Sequence, residues 1–184
     1  MRTLFLDRRL SLRRLLGSGF DAGLFGQRLK SHLRRWGLAY LLLAVAWSFF
    51  CAHFRLGLNA SPSLPHTLFL IHKGELPQRG DYVAFRWPGG GPYPAGVSFV
   101  KIVAGMAGDS VTRVERQFFV NGVSMGTAKA VSRRGELLEP GPTGLIPPGR
   151  YYLRAPHPDS LDSRYRLTGW VNASQIIGRA YALL

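Results

Sequence analysis

The chain has 184 residues, 46% of them hydrophobic, enough for one domain of about 130 residues and one further apolar segment. Its formal net charge of +14 suits contact with nucleic acid or an acidic surface. The sequence has no paired Cys/His spacing, helix-turn-helix pattern or aromatic RNA-binding signature, so we expect no nucleic-acid partner. It contains one cysteine, Cys51, and five histidines without metal-ligand spacing, so we expect no intrachain disulfide, metal or cofactor.

The N-terminal part of the chain is strongly basic. Residues 1–36 carry nine basic and two acidic side chains, which is half of the net charge. Glycines in this part argue against one long helix: Gly17, Gly19, Gly23 and Gly26. We interpret residues 1–35 as a basic cytoplasmic arm that lies on the membrane surface, with a disordered basic tail as the alternative.

Residues 36–54 form the apolar segment long enough to cross a membrane. They carry no formal charge, and a helix of this length spans roughly 28 Å, about the thickness of the hydrocarbon core. Aromatic residues suited to interfacial positions occur along it: Trp36, Tyr40 and Trp47. Arg34 and Arg35 precede the segment, which predicts a cytoplasmic N-terminus and an external domain, residues 55–184. A cleaved signal peptide is the competing interpretation, but the run is long for one and no small-x-small site follows.

Residues 66–184 have the pattern of an all-β domain with many short strands. Six stretches are strand-like: Thr67–His72, Asp81–Trp87, Val97–Val103, Gln117–Met125, Tyr151–Arg154 and Ile176–Leu183. Asn121-Gly122, within the fourth, is the signature of a type I′ hairpin turn. Loops rich in proline and glycine separate the stretches, and no convincing helix follows residue 55. The sequence therefore predicts a mainly β domain behind one N-terminal transmembrane helix.

The segment Leu58–Pro65 contains two serines, Ser61 and Ser63, directly after the apolar segment. Pro62 and Pro65 fix φ and remove backbone donors, which favours a rigid extended loop. A serine held in this way at a membrane surface is well placed to be a nucleophile. The alternative is a Ser/Pro turn that joins an anchor to a domain.

Lys101 is the candidate general base. Alternation within Val97–Val103 puts Phe99, Lys101 and Val103 on one face, so the lysine stands among apolar side chains. Lowering a lysine pKa from about 10.4 to about 7 requires roughly 4–5 kcal/mol of destabilisation of the ammonium, which burial supplies. The alternative is a lysine that extends from an edge strand to solvent. A Ser-His-Asp triad is disfavoured, because no histidine is marked as a base oriented by an acid.

Four segments resemble the motifs of type I signal peptidases, and most of all those of the conjugative-transfer TraF branch. Asn59–Pro65 is similar to the nucleophile motif, and Phe99–Asp109 to the lysine motif with its Gly-Asp turn. Ser160–Tyr165, followed by Gly169, resembles the Ser-x-Asp-Ser-Arg box, and Ile176–Ala180 resembles the closing strand. The four occur in family order behind a single apolar segment. The resemblance implies an antiparallel β fold of the signal-peptidase type.

The resemblance also implies roles for the two serines and the lysine. Ser63 would be the nucleophile and Lys101 its general base. Ser61 matches a position whose hydroxyl donates to the oxyanion, beside the backbone N–H of Ser63.

Three residues of the box receive supporting roles from the same resemblance. Ser160 matches a serine that orients the lysine, and Arg164 would pair with an acid to hold the box. Asp162 matches an acidic residue that TraF-type peptidases need. Just before the box, Arg154–Asp159 stands where many secretory relatives have a Gly-Asp-Asn run, a departure that favours the conjugative branch.

The expected protein is a membrane-bound serine endopeptidase with a Ser/Lys dyad, single-pass in a bacterial inner membrane with its catalytic domain on the periplasmic side. Its expected substrate is a conjugative pilin precursor with small residues before the cut, bound as an added strand near residues 58–61 and 98–100. Some TraF-type relatives are associated with cyclic pilins, and Asp162 is the candidate for holding the substrate amine during ring closure. Components of a conjugation or secretion channel are further expected partners. The alternatives are a housekeeping signal peptidase for general preproteins and a non-catalytic channel subunit with the same fold.

Overall fold

The computed structural model describes residues 22–184. A helix, α1, spans Ala22–His53. Its portion Phe25–His53 is long and apolar enough to cross a membrane. The expected arm, residues 1–35, falls in part on residues 1–21, which lie outside the described residues.

The helix begins earlier than the glycine pattern predicts. Gly23 and Gly26 lie within α1, so the prediction that glycines interrupt the arm is wrong for residues 22–35. Each glycine costs about 1 kcal/mol relative to alanine, and the neighbouring Leu, Gln, Arg and Lys residues are good helix formers that offset this cost. Residues 36–53 of the predicted transmembrane segment are helical, and Phe54 begins a strand.

Residues 22–49 belong to one compact unit and residues 50–184 to another. The second unit contains eleven strands: β1 (Phe54–Leu58), β2 (Leu68–Lys73), β3 (Tyr82–Arg86), β4 (Ser98–Gly105), β5 (Ser110–Val114), β6 (Gln117–Val120), β7 (Val123–Thr127), β8 (Gly144–Leu145), β9 (Arg150–Arg154), β10 (Val171–Asn172) and β11 (Ile176–Ala182). Seven form a sheet in the order β1-β2-β11-β3-β4-β9-β10, and four form a second sheet in the order β7-β6-β5-β8. Neighbouring strands pair antiparallel throughout both sheets.

The predicted mainly β, antiparallel fold is confirmed. Five of the strand-like stretches are single strands and Gln117–Met125 is the hairpin of β6 and β7, with ends that differ by at most two residues. Asn121 and Gly122 have φ values of 48° and 80°, the positive values that a type I′ turn requires. After His53, the one helical segment within the described residues is the short 3-10 turn Ala173–Gln175.

The centre of the large sheet separates two apolar clusters. Val83 and Val103 belong to the cluster on one face, and Ala84, Val100 and Ile102 to the cluster on the other. Gly178 of β11 lets the backbones of β11 and β2 approach closely, because a Cβ there would overlap the carbonyl of His72. The antiparallel pair of strands β3 and β4 positions the candidate base, Lys101.

Candidate active site

Lys101 lies in the centre of the large sheet, opposite Val83 of β3. Its side chain is buried, with 5% exposure, so it does not extend along an edge strand to reach solvent. Burial lowers the pKa of Lys101 from 10.5 to about 8; the charge of Asp162 opposes this effect and that of Arg164 adds to it. A lysine with this pKa is roughly one-tenth neutral at pH 7, which makes it competent to accept a proton.

Ser160 is the hydrogen-bond partner of Lys101. The Nζ atom of Lys101 donates to Ser160 Oγ over 2.6 Å, and Ser160 itself is 5% exposed. The serine follows β9 in a segment outside the strands, and its backbone N–H donates to the carbonyl of His157 over 3.1 Å. The hydrogen-bond partner of Lys101 is therefore a neutral hydroxyl. A carboxylate at this position would stabilise the ammonium and raise the pKa of the lysine.

Ser61 and Ser63 lie in the loop between β1 and β2. Ser63 is buried, with 7% exposure, whereas Ser61 is exposed. The two hydroxyl oxygens are 2.9 Å apart and hydrogen-bonded, and Ser61 Oγ also lies 3.0 Å from Asn59 Oδ1. The loop thus brings the expected nucleophile and oxyanion donor into direct contact.

Asn59 is a residue of the site for which the sequence predicted no individual role. Its Oδ1 atom accepts from the Ser61 hydroxyl, and its Nδ2 donates to the carbonyl of His66 over 3.1 Å. Its backbone N–H donates to the Thr67 carbonyl over 2.8 Å. Asn side chains commonly accept a hydrogen bond from the residue two positions later in the chain. The spacing of Asn59 and Ser61 is therefore the sequence signal that could have identified Asn59.

The serine loop contributes to the apolar cluster on one face of the large sheet. Leu64 is buried in the cluster that Val100 and Ile102 join, and these two residues flank Lys101 in the chain. Alternation along β4 directs the side chain of Lys101, which pairs with Val83, to the other face. Within the described residues, Ser63 and Lys101 are not hydrogen-bonded to each other: Ser63 pairs with Ser61, and Lys101 with Ser160. The site therefore consists of two hydrogen-bonded halves.

Asp162 and Arg164, which follow Ser160 in the chain, form a buried ion pair. Their exposures are 0% and 3%. Nε and Nη2 of Arg164 each donate to the carboxylate over 2.9 Å, and the backbone N–H groups of Ala155 and Arg164 donate to it over 3.0 and 3.2 Å. Four hydrogen bonds and complete burial leave the Asp162 carboxylate no access to a substrate amine in this structure.

Arg164 also supports the segment that carries Ser160. Its Nη2 atom lies 3.3 Å from the carbonyl of His157 and 3.4 Å from that of Ser160. The box thus connects the buried ion pair to the serine that contacts Lys101. No group of three or more His, Cys, Asp or Glu side chains among the described residues is arranged to hold a metal ion.

Comparison with known proteins identifies the family of the chain. The chain is 30% identical over 142 residues to signal peptidase I of Pseudomonas aeruginosa, a match that covers 58% of this chain and 49% of the relative. The chain therefore spans about half the length of that relative. The crystal structure of a signal peptidase I from Enterococcus faecalis is 26% identical, with a TM-score of 0.39 and coverage of 60% of this chain and 98% of that one. The model of the family described as signal peptidase, peptidase S26, matches residues 29–184, and the chain belongs to that family.

Proposed function

We propose that this chain is a membrane-anchored serine endopeptidase that cleaves exported precursors, with Ser63 as nucleophile and Lys101 as general base. The observation that carries the proposal is the environment of Lys101. This lysine is buried in the sheet centre, has a lowered pKa and donates to a neutral hydroxyl, in a chain of the signal peptidase family. A surface lysine would remain protonated at neutral pH and would be a poor base.

In the proposed reaction, neutral Lys101 removes the proton from Ser63 Oγ as this oxygen attacks the scissile carbonyl. The backbone N–H of Ser63 and the hydroxyl of Ser61 donate to the oxyanion, for which the Ser61 hydroxyl turns away from Asn59. The Lys101 ammonium then gives its proton to the leaving amine, and an ester of Ser63 remains. Lys101 next deprotonates a water molecule, which attacks the ester carbonyl. The bond to Ser63 Oγ breaks, this oxygen takes the proton from the Lys101 ammonium, and the new carboxyl end is released. The two halves of the site meet when substrate binds, since catalytic hydrogen bonds tighten in the reactive complex.

Substrate binding along β4 is supported by a strand edge that no strand of residues 22–184 pairs with at Ser98 and Val100. The N–H of Val103 bonds to the carbonyl of Asp81, so the odd-numbered residues of β4 direct their backbone groups toward β3. Ser98 and Val100 direct theirs to the opposite side, where β9 begins to pair only at Ile102. An extended substrate segment added at this edge would lie beside Lys101, as proposed for residues 98–100.

We propose a single-pass topology in a bacterial inner membrane, with residues 55–184 on the periplasmic side. Helix α1 is the anchor, and the basic residues Arg34 and Arg35 favour a cytoplasmic N-terminus. In this topology the serine loop, residues 59–65, is periplasmic and follows the span closely in the sequence.

For the substrate, we propose a conjugative pilin precursor, on the basis of the motifs shared with the TraF branch. A general secretory preprotein is the second candidate, and the match to signal peptidase I of P. aeruginosa favours it. The burial of Asp162 favours simple cleavage over ring closure, because the carboxylate is occupied by Arg164. We assign Asp162 to positioning the box.

The test is incubation of the full-length protein in lipid nanodiscs with a pilin precursor and, separately, with a general preprotein that has an Ala-x-Ala site. Mass spectrometry of the product distinguishes a linear chain with a free N-terminus, which we expect, from a ring lighter by one water. Cleavage of the pilin precursor alone supports the conjugative role, and preference for the general preprotein contradicts it. Failure to cleave either substrate would overturn the peptidase proposal and favour a channel subunit.

A further inference from the structure

Asp159, the residue directly before Ser160, is held by two cations from a distant part of the chain. Arg133 donates to Asp159 Oδ2 from Nε over 3.0 Å and from Nη2 over 2.6 Å. Lys129 donates from Nζ to the other carboxylate oxygen, Oδ1. We call Lys129, Arg133 and Asp159 the outer clamp.

The loop that supplies the two cations is itself fixed to its surroundings. Arg116 donates to three of its backbone carbonyls, those of Ala128, Lys129 and Leu138, over 2.7, 2.5 and 2.7 Å. The N–H of Lys129 donates to the hydroxyl of Tyr165 over 3.1 Å. Hydrogen bonds therefore fix the backbone of the loop that carries Lys129 and Arg133.

The segment that carries Ser160 has less support of its own. Residues 156–160 belong to no strand, and Pro156 and Pro158 contribute no backbone donors. Arg164 holds the segment through two long contacts, 3.3 Å to the carbonyl of His157 and 3.4 Å to that of Ser160. The outer clamp adds three shorter, charge-assisted hydrogen bonds to the side chain of Asp159.

We propose that the outer clamp positions Ser160 so that its hydroxyl stays in contact with Lys101 Nζ. Asp159 is then a positioning residue for the reaction, acting through Ser160, and Lys129 and Arg133 share that role. The effect on cleavage rests on the function proposed above, whereas the effect on Lys101 itself does not.

The carboxylate of the outer clamp keeps its charge over the pH range in which Lys101 titrates. Hydrogen bonds from Lys129 and then Arg133 lower the pKa of Asp159 to about 2, so the carboxylate is ionised at every pH relevant to Lys101. His157 Nδ1, a further titratable group at the clamp, accepts from the Asp159 backbone N–H over 3.2 Å. The charged groups that act on Lys101 itself are Asp162 and Arg164.

Two variants break the clamp while changing the local charge in opposite directions. Asp159→Asn removes a negative charge, and the double variant Lys129→Gln/Arg133→Gln removes two positive charges. If the cluster acted on Lys101 through its charge alone, the first variant would lower the pKa of Lys101 and the second would raise it. If the clamp positions Ser160, both variants loosen the same segment and admit water to Lys101, and both raise its pKa toward 10.5.

The deciding measurement is an NMR titration of the Lys101 Cε resonance in the full-length protein, labelled with ¹³C-lysine and held in nanodiscs. The sequence contains four lysines, and the Lys101 signal is assigned by its loss in Lys101→Met. Upward shifts in both variants are the expected result. Shifts of opposite sign, or no shift in either variant, would overturn the clamp.

Cleavage kinetics give the second readout. Both variants should lower kcat about tenfold with little change in KM, the size expected for a small displacement of a catalytic group. Asp159→Glu retains the charge and should recover part of this loss. The matched control is Glu139→Gln, which breaks the exposed pair with Arg166 and should leave kcat and the Lys101 titration unchanged. Unaltered kcat in both clamp variants would contradict the proposal, while an inactive wild-type protein would refute the peptidase function and leave the NMR titration to decide the clamp.

Discussion

Lys101 Nζ and Ser160 Oγ lie 2.6 Å apart although 59 residues separate them in the chain. The pairing of β4 with β9 creates this contact, because the segment after β9 returns over the sheet beside Lys101. The partner is a hydroxyl, and the nearest carboxylate, Asp162, is bound to Arg164. The arrangement keeps the lysine buried and its pKa low, which is what a base requires at neutral pH.

Lys101→Met should stabilise the fold while it abolishes cleavage. Lowering the pKa from 10.5 to about 8 corresponds to a destabilisation of roughly 3 kcal/mol by the buried ammonium. Because the folded-state pKa lies below the unfolded one, this penalty is complete below pH 8 and disappears as the pH approaches 10.5. Urea unfolding followed by tryptophan fluorescence, to which the buried Trp87 contributes, should therefore show a more stable variant at pH 7 and a smaller difference at pH 10. A variant that is less stable than wild type at pH 7 would show that the lysine is not destabilised by burial.

Ser61→Ala should lower kcat by about 10²–10³ with little change in KM, because it removes one donor to the oxyanion. The measurement is steady-state cleavage of a precursor peptide by the full-length protein. An unchanged kcat would return Ser61 to the role of a loop residue.

Asn59→Ala should reduce kcat through Ser61, since Asn59 Oδ1 also accepts from the backbone N–H of Ser61 over 3.4 Å and so holds the backbone that carries this hydroxyl. In a double-mutant cycle, the asparagine substitution should have little further effect in a Ser61→Ala background. Additive losses in kcat would mean that Asn59 acts independently of Ser61, for instance through its bond to the His66 carbonyl.

Asp162→Asn should destabilise the domain by about 3–5 kcal/mol, because it leaves the buried Arg164 guanidinium without its counter-charge. Glu139→Gln is the control, since the exposed pair of Glu139 with Arg166 contributes at most about 1 kcal/mol. Both values follow from urea unfolding at neutral pH. An Asp162→Asn protein with wild-type stability and a specific loss of ring closure would restore the amine-binding role to Asp162.

The sequence was sufficient for the features that depend on local pattern. Alternation around Lys101 predicted a lysine among apolar side chains, and Asn121-Gly122 predicted the hairpin turn. Strand β1 was not predicted, because Phe54 continues the apolar run of α1 and the short alternation of Phe54–Leu58 directly adjoins it. Strands β8 and β10 have two residues each, too few for any periodicity, and β5 was also missed.

The long-range contacts of the site required the structure. The contact between Lys101 and Ser160 depends on the pairing of β4 and β9, and only the family resemblance anticipated it. The burial of Asp162 against Arg164 also depends on packing, so the sequence left Asp162 with an expected substrate contact. The contacts of Asp159 with Lys129 and Arg133 span 30 and 26 residues, and no local pattern marks them.

Protease added to spheroplasts should digest residues 55–184 and spare the N-terminal arm, because the basic residues before the span favour a cytoplasmic N-terminus. Immunoblots with tags at each end of the chain report the two parts separately. Protection of the C-terminal tag in spheroplasts, with digestion after detergent lysis, would reject the proposed orientation.

The most direct test of the Ser/Lys mechanism is precursor cleavage by wild type, Ser63→Ala and Lys101→Arg, each full-length in nanodiscs and verified as folded. We predict that wild type cleaves with a kcat that rises with pH through about 8, and that both variants are inactive, because arginine remains protonated and cannot act as a base. Cleavage by Ser63→Ala or Lys101→Arg at a rate near that of wild type would contradict the mechanism.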